Sequence, residues 1–222
     1  MLLIFDLDGT LIDSKLDLAH AVNATLRHLR REHLDHERIY SYVGNGAPVL
    51  VRKALGEGTS EEECADGLAY FLQYYREHML DYTTLYPGVR ETLDVLRPAN
   101  QMAVLTNKPV RISRDILAGL RLDAHFFQVY GGNSFEKKKP DPIGVQTLLG
   151  ETGADIEDVL FIGDSAVDVQ TARNASVRCC CVTYGFQPES LEEAVPDYLI
   201  DSISQLPGIV QDAQSQCAVT VS

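Results

Sequence analysis

The stretch that decides the fold is MLLIFDLDGTLIDS, residues 1–14. Its continuous apolar run, residues 2–5, has the length and character of a strand buried on both faces of a parallel sheet. Asp6 and Asp8 follow at once, and their spacing places both carboxylates on one side if the strand geometry continues. The stretch therefore predicts a buried strand that ends in two acids, one able to attack a substrate and one able to move protons.

Three further apolar runs end in the same way, each before a pair of small or polar residues: 102–105 before Thr106-Asn107, 159–162 before Gly163-Asp164, and 180–183 before Tyr184-Gly185. Helical patterns begin between them at Pro109 and Pro142. This alternation predicts an α/β fold with a doubly wound, Rossmann-like parallel sheet. In such a sheet ligands bind beyond the carboxyl ends of the strands, which is where these polar residues fall.

A helical segment interrupts this alternation after the first strand. Leu18 and Val22 begin an apolar repeat at helical spacing, and Ser60 with Glu63 predicts a capping box at the start of a second long helix. We therefore expect a small α-helical cap inserted into the core, joined to it by hinges. The predicted boundaries are 1–14 and 84–210 for the α/β catalytic core, 15–83 for the cap, and 211–222 for a flexible tail.

The composition excludes several classes of function. The 222 residues include 19 Lys and Arg against 32 Asp and Glu, a net charge of −13 that repels nucleic acids and anionic lipid surfaces. Five cysteines, three of them consecutive, fit a reducing compartment better than a disulfide framework. No apolar stretch has the length of a membrane span. We expect a cytoplasmic monomer or homodimer whose partner is a small metabolite.

The string from Asp6 to Ser14 closely resembles the first motif of the haloacid dehalogenase superfamily of phosphohydrolases. Taken alone, Asp-Leu-Asp-Gly is also an ordinary turn at the end of a strand, but the longer string is much more specific. The resemblance implies that Asp6 is the nucleophile. It also implies that Asp8 protonates the leaving alkoxide and later deprotonates the hydrolytic water.

The second and third motifs of the superfamily are matched in the expected order. Thr106, with Asn107 beside it, matches the hydroxyl residue that ends a core strand, which implies a role in binding phosphate oxygens. Lys139 lies before Pro140 in the basic run KKKPDP, residues 137–142. The resemblance implies that Lys139 neutralises the nucleophile and the phosphate, while the two preceding lysines remain on the surface.

The fourth motif is GDSAVD, residues 163–168. It implies that Asp164 is a ligand of Mg²⁺, together with Asp6 and the backbone carbonyl of Asp8. Asp168 is expected to orient the metal-bound waters or the lysine of the third motif. Two hydroxyl residues, Thr10 and Ser165, are expected to support these acids from a second layer.

Within the superfamily the sequence is most similar to the phosphoglycolate phosphatase family, and residues 42–55 carry that similarity. The similarity implies hydrolysis of 2-phosphoglycolate to glycolate and phosphate. Gly44 and Gly46 permit a tight loop that opens a helix whose amides, with Asn45, could meet the carboxylate of a small anion. The sequence departs from many relatives at residues 186–189, where a glycine-containing loop is missing, and this leaves the rim of the pocket open to question.

Several other functions fit parts of the pattern. A sugar phosphomutase, or a phosphatase of another small metabolite, would use the same core motifs. A haloacid dehalogenase would need neither Asp8 nor Asp164. A phosphorylation-switched regulatory domain shares an acidic Mg²⁺ pocket, a threonine and a Lys-Pro pair, but has about half this length. An inactive binding protein of the same fold would have lost a motif residue, and none is missing.

Overall fold

A computed structural model describes residues 1–220, with side chains as far as residue 214. The chain divides into two compact units. One consists of Met1–Ile12 and the chain from Leu85 onward, and the other is Asp13–Thr84. The first unit contains the large sheet, and the second is helical.

The first unit is built on a six-stranded parallel sheet with the order β5-β4-β1-β6-β7-β8. Its strands are β1 Leu2–Phe5, β4 Gln101–Leu105, β5 Gln128–Tyr130, β6 Val159–Gly163, β7 Arg178–Val182 and β8 Tyr198–Ile200. Two short strands, β2 Ile12–Asp13 and β3 Thr84–Leu85, form a separate pair. Phe5 is in register with Val104 and Ile162, so the three central strands end at the same level.

Helices surround the large sheet, as the alternating pattern predicts. They are α5 Val89–Leu96, α6 Val110–Gly119, α7 Ile143–Thr152, α8 Ala166–Asn174 and α9 Leu206–Thr220. Val145 of α7 and Val169 of α8 pack with Ile4 and Phe161 in one buried cluster. Phe5 points to the opposite face, where its ring meets the edge of Phe126 at a centroid distance of 6.0 Å. The predicted doubly wound α/β fold is therefore confirmed.

The second unit contains four helices: α1 Lys15–His28, α2 His36–Tyr40, α3 Ala47–Leu55 and α4 Glu61–His78. Helices α1 and α4 pack closely, and Leu18, Val22, Phe71 and Tyr75 are buried between their neighbours. The helical character predicted for this segment is thus observed. Among residues 1–220 no helix combines the length and apolar character needed to cross a membrane.

Asp17 joins the two ends of the helical unit. It is almost fully buried, and its carboxylate accepts hydrogen bonds from the backbone amides of Tyr82 and Thr83 and from the Thr83 hydroxyl, at 2.7 to 3.1 Å. The segment that leaves the unit is therefore fastened to the first turn of α1, which is the segment that enters it.

Only half of the predicted capping box forms. The Ser60 hydroxyl accepts a hydrogen bond from the Glu63 amide at 3.2 Å. The Glu63 carboxylate does not return to the backbone of Ser60, because the Arg31 guanidinium holds it at 2.7 Å. An ion pair to the loop that follows α1 has replaced the local bond, and the sequence around Ser60 alone does not reveal it.

The prediction that a flexible tail begins at residue 211 is wrong. Residue 211 lies inside α9, which continues to Thr220, and Ala213 is fully buried. Val210 is buried on the same helix, so an apolar face extends past the predicted boundary and packs on the core unit. Residues 221 and 222 lie outside the described residues.

The consecutive cysteines lie in β7, as expected for small apolar residues. Cys179, Cys180 and Cys181 are all buried free thiols. Burial raises the pKa of Cys180 to about 12, so this side chain remains a thiol at neutral pH. The structure therefore gives these cysteines a packing role.

Candidate active site

Asp6 lies at the centre of the site, immediately after β1. Its amide donates a hydrogen bond to the carbonyl of Ile162 at 2.8 Å. This bond continues the backbone hydrogen bonding between β1 and β6 by one residue beyond the end of β1. The Lys139 ammonium lies 2.9 Å from Asp6 Oδ1, as an ion pair without the angle of a directed hydrogen bond. Burial raises the pKa of Asp6 to about 6 although Lys139 opposes this shift.

Lys139 is held between two carboxylates. It donates a hydrogen bond to Asp168 Oδ1 at 2.7 Å while its ammonium remains beside Asp6. The residue is 4% exposed, and burial alone would lower its pKa. Asp168 and Asp6 outweigh burial and hold the pKa above its usual value, so Lys139 is charged at neutral pH. Its backbone carbonyl accepts a hydrogen bond from Asn107 Nδ2 at 3.2 Å, which fixes the loop that carries it.

Asp168 connects Lys139 to the start of α8. One of its oxygens binds Lys139, and the other accepts hydrogen bonds from the Asp164 amide, the Ser165 amide and the Ser165 hydroxyl, at 2.8 to 3.2 Å. Ser165 in turn caps the start of α8. Both oxygens of Asp168 are therefore committed, and its geometry suits positioning rather than contact with substrate.

Asp164 follows β6 and is enclosed by backbone. Its Oδ2 accepts a hydrogen bond from the Phe186 amide at 2.8 Å, and Thr10 donates to Oδ1 at 3.3 Å. A Cβ at Gly9 or at Gly185 would lie 2.2 Å from an atom of this side chain. Burial, with added repulsion from nearby Asp168 and Asp6, raises the pKa of Asp164 well above its usual value.

These acids fit a divalent metal ion. Carboxylate oxygens of Asp6, Asp164 and Asp168 lie within 4.8 Å of one another. Since Asp168 is committed elsewhere, Asp6 and Asp164 are the carboxylates open to a metal, and Oδ1 of Asp6 is buried without a directed hydrogen bond. Oxygen-only donors suit hard cations such as Mg²⁺, Ca²⁺ or Mn²⁺. Such a cation would offset the burial that is the main cause of both raised pKa values, and the repulsion between carboxylates that adds to it.

Asp8 belongs to a second ion pair, with a residue that the motif analysis missed. Lys108 Nζ lies 2.9 and 3.0 Å from the two oxygens of Asp8, and the Lys108 side chain is only 4% exposed. The strand geometry expected through Asp8 does not continue: β1 ends at Phe5, and the Leu7 carbonyl accepts hydrogen bonds within a tight loop. Asp6 and Asp8 therefore meet different lysines.

Lys108 could have been noticed from its position directly after Thr106-Asn107. Thr106 and Asn107 are both buried at the end of β4, and the Thr106 hydroxyl accepts a hydrogen bond from the Lys108 amide at 3.3 Å. The partner of Lys108 lies one hundred residues earlier in the chain, as the separation of Asp8 and Lys108 shows. No local pattern connects the two residues.

The residues predicted from the cap lie in the helical unit. Gly44 and Gly46 have φ values of 111° and 81°, which favour glycine, and Gly46 immediately precedes α3. Asn45 lies between them in the same loop. The expected glycine loop at a helix start is present, and its role in recognising substrate stays a prediction.

The comparison that decides the family is a match of residues 3–182 to the family model of haloacid dehalogenase-like hydrolases. The chain belongs to this family. Phosphoglycolate phosphatases are among its relatives: that of Pseudomonas savastanoi pv. phaseolicola is 40% identical over 93% of this chain and 79% of the relative. That of Chromobacterium violaceum is 38% identical over 94% and 95%, respectively.

Solved structures agree with this assignment. The crystal structure of a predicted phosphoglycolate phosphatase from Haemophilus somnus has a TM-score of 0.87 and 32% identity, with 94% of this chain and 96% of that chain covered. A putative phosphoglycolate phosphatase from Lactobacillus delbrueckii subsp. bulgaricus has the same TM-score at 26% identity, with coverage of 94% and 97%. The predicted hydrolase family and the resemblance to its phosphoglycolate phosphatases are thereby confirmed.

Proposed function

We propose that this chain is a Mg²⁺-dependent phosphatase that hydrolyses 2-phosphoglycolate to glycolate and phosphate through a phosphorylated Asp6. The observation that carries the mechanism is the arrangement of Asp6, with Lys139 2.9 Å away and Asp164 within reach of one cation. The substrate is inferred from the phosphoglycolate phosphatases that are about 40% identical over most of the chain.

In the first step an oxygen of Asp6 bonds to phosphorus as the bond from phosphorus to the alkoxide oxygen breaks. The alkoxide takes a proton from Asp8. The ion pair with Lys108 holds the Asp8 side chain in position. Lys139 balances negative charge at the nucleophile, and the Thr106 hydroxyl is available to a phosphoryl oxygen. Asp6 and Asp164 would hold Mg²⁺, which would supply positive charge to the transferring phosphoryl group.

In the second step water attacks phosphorus and gives a proton to Asp8. The bond from phosphorus to Asp6 then breaks, which releases phosphate and restores both acids. Asp168 keeps Lys139 in place throughout, because its two oxygens are bonded to Lys139 and to the start of α8. The chemistry therefore depends mainly on positioned charge.

The test is phosphate release from 2-phosphoglycolate, hexose phosphates, nucleoside monophosphates and p-nitrophenyl phosphate, with and without Mg²⁺. We expect preference for 2-phosphoglycolate and a requirement for the metal. Asp6→Asn should lower kcat by about 10³-fold or more, as expected for loss of a nucleophile. The exposed Asp123→Asn is the matched control and should keep normal rates.

The outcomes separate the two parts of the proposal. Preference for another ester would keep the mechanism and overturn the substrate. Activity that requires a bisphosphate activator and transfers phosphate between sugar hydroxyls would identify a phosphomutase. Near-normal hydrolysis by the Asp6 variant would overturn the phospho-enzyme mechanism.

A further inference from the structure

The helical unit has a basic cleft made of residues separate from the candidate active site. Its volume is about 550 Å³. It is lined by three cations, a tyrosine and a glycine-containing turn: Arg38, Tyr42, Arg52, Lys53 and residues 56–59. A cleft of this size can hold a small metabolite. Three cations around one cleft stand out in a chain whose net charge is −13.

Tyr42 organises two of these cations. Arg38 Nε donates a hydrogen bond to the Tyr42 hydroxyl at 2.7 Å. Lys53 Nζ lies 5.6 Å from the centroid of the Tyr42 ring, within the range of a cation–π interaction. Among residues 1–214, whose side chains the structure describes, neither cation forms an ion pair with a carboxylate. The ring therefore holds two uncompensated positive charges near each other.

Arg52 has a different environment, because Glu61 binds its guanidinium through two hydrogen bonds at 2.8 and 2.6 Å. Arg52 and Lys53 lie in the last turn of α3, where positive charge also compensates the helix dipole. That effect does not explain Arg38, which comes from α2 and reaches the same cleft. Glu57, which also lines the cleft, reduces its net charge but leaves it cationic.

The turn after α3 completes the cleft. Gly56 and Gly58 have φ values of 87° and 85°, which favour glycine. A Cβ built at either position would meet nothing within 4 Å. Glycine is therefore favoured here by the backbone conformation and not by a lack of space. The backbone beside the cations consequently borders open space, where an oxyanion can approach it closely.

We propose that this cleft binds a small phosphorylated anion, with Arg38 and Lys53 as its charge contacts and Tyr42 as their support. A guanidinium and an ammonium together match a phosphate that carries two negative charges. The contact is exposed, so salt weakens it. The site is independent of the proposed hydrolysis, because none of its residues takes part in that chemistry.

The experiment is calorimetric titration of pyrophosphate into the full chain at low salt. A chelator is included so that no metal assists binding at the candidate active site. We expect one equivalent to bind, with at least tenfold weaker affinity in the variant Arg38→Gln/Lys53→Gln. Arg76→Gln removes an exposed cation of the same unit that does not line the cleft, and it should bind like the unaltered protein.

Three results of the pyrophosphate titration would overturn the proposal. These are no binding by the unaltered protein, an equal loss of affinity in the Arg76 control, and full affinity in the double variant. Titration with citrate separates phosphate recognition from general attraction of anions, and equal affinity for citrate would also overturn it. Thermal unfolding of each variant checks that the helical unit is intact. We expect the unfolding temperature to stay unchanged, because the substituted side chains are exposed.

Discussion

At the scale of single residues, the pair formed by Lys108 and Asp8 gives a direct prediction. Lys108→Met should lower kcat by at least tenfold and destabilise the protein by about 3 kcal/mol, because it leaves a mostly buried carboxylate without its cation. Phosphate release and urea unfolding measure the two effects. Lys137→Met, at an exposed lysine whose ammonium pairs with Asp141, is the matched control.

A double-mutant cycle separates the pair from general damage. If Lys108 acts through Asp8, Lys108→Met should add little to the loss of rate already caused by Asp8→Asn. Fully additive losses would show that Lys108 acts on something else.

Gly9 makes a second residue-scale prediction. Its φ is 81°, and a Cβ there would lie 2.2 Å from Asp164 Oδ2. Gly9→Ala should therefore displace Asp164 and weaken Mg²⁺ binding by at least tenfold, measured by calorimetry. Gly150→Ala is the matched control, because that helical glycine faces open space; it should stabilise the fold by about 0.5 to 1 kcal/mol and leave metal affinity unchanged. Equal metal affinity in both variants would contradict the proposed role of Asp164.

At the scale of helices and strands, Asp17 determines how the helical unit is closed. Asp17→Asn should lower the free energy of unfolding by about 3 kcal/mol, because hydrogen bonds to a charged acceptor contribute more than those to an amide oxygen. Urea unfolding measures the change. The exposed Asp66→Asn should stay within about 0.5 kcal/mol of the unaltered protein, and a similar loss there would point to net charge instead.

The strands found from sequence and those missed differ in burial. Strands β1, β4, β6 and β7 lie inside the sheet and are marked by continuous apolar runs. Strands β5 and β8 were not predicted. They form the two edges, have three residues each, and contain one buried residue apiece, Val129 and Ile200. An edge strand this short has no run of apolar residues to reveal it.

The same contrast applies to the candidate site. Asp6, Thr106, Lys139 and Asp164 could be predicted because each follows a local pattern that the superfamily shares. The pairing of Lys108 with Asp8, which was not predicted, joins residues that are 100 positions apart. Thr10 was expected to support the acids, but nothing local identifies its partner, Asp164, which lies 154 positions away. Such contacts are set by the sheet order and its register, which no single stretch of sequence contains.

At the scale of the whole molecule, the buried acids couple metal binding to stability. The folded, metal-free protein binds more protons than the unfolded chain between the ordinary carboxyl pKa of 3.8 and about 6, the raised pKa of Asp6. The free energy of unfolding contributed by Asp6 therefore falls as pH rises through this interval. The proposed Mg²⁺ ion would bind the ionised carboxylates, so its stabilising effect should grow over the same interval.

Thermal unfolding with and without Mg²⁺ tests this prediction. At a metal concentration about 100 times Kd and neutral pH we expect stabilisation of about 2.7 kcal/mol, and a much smaller effect below about pH 5. Asp164→Asn should abolish the difference. Equal stabilisation at both pH values would show that the metal binds outside this cluster.

The position of β1 between β4 and β6 also affects how the protein folds while it is being synthesised. During synthesis β1 emerges first, and its second neighbour begins only at Val159. At about 5 to 20 residues per second, about 8 to 30 seconds pass before this second neighbour is synthesised, and one edge of β1 stays unpaired for that time. Nascent chains that have not yet reached β6 carry Asp6 but not Asp164, so they are exposed to aggregation and to chaperones before the candidate site is complete.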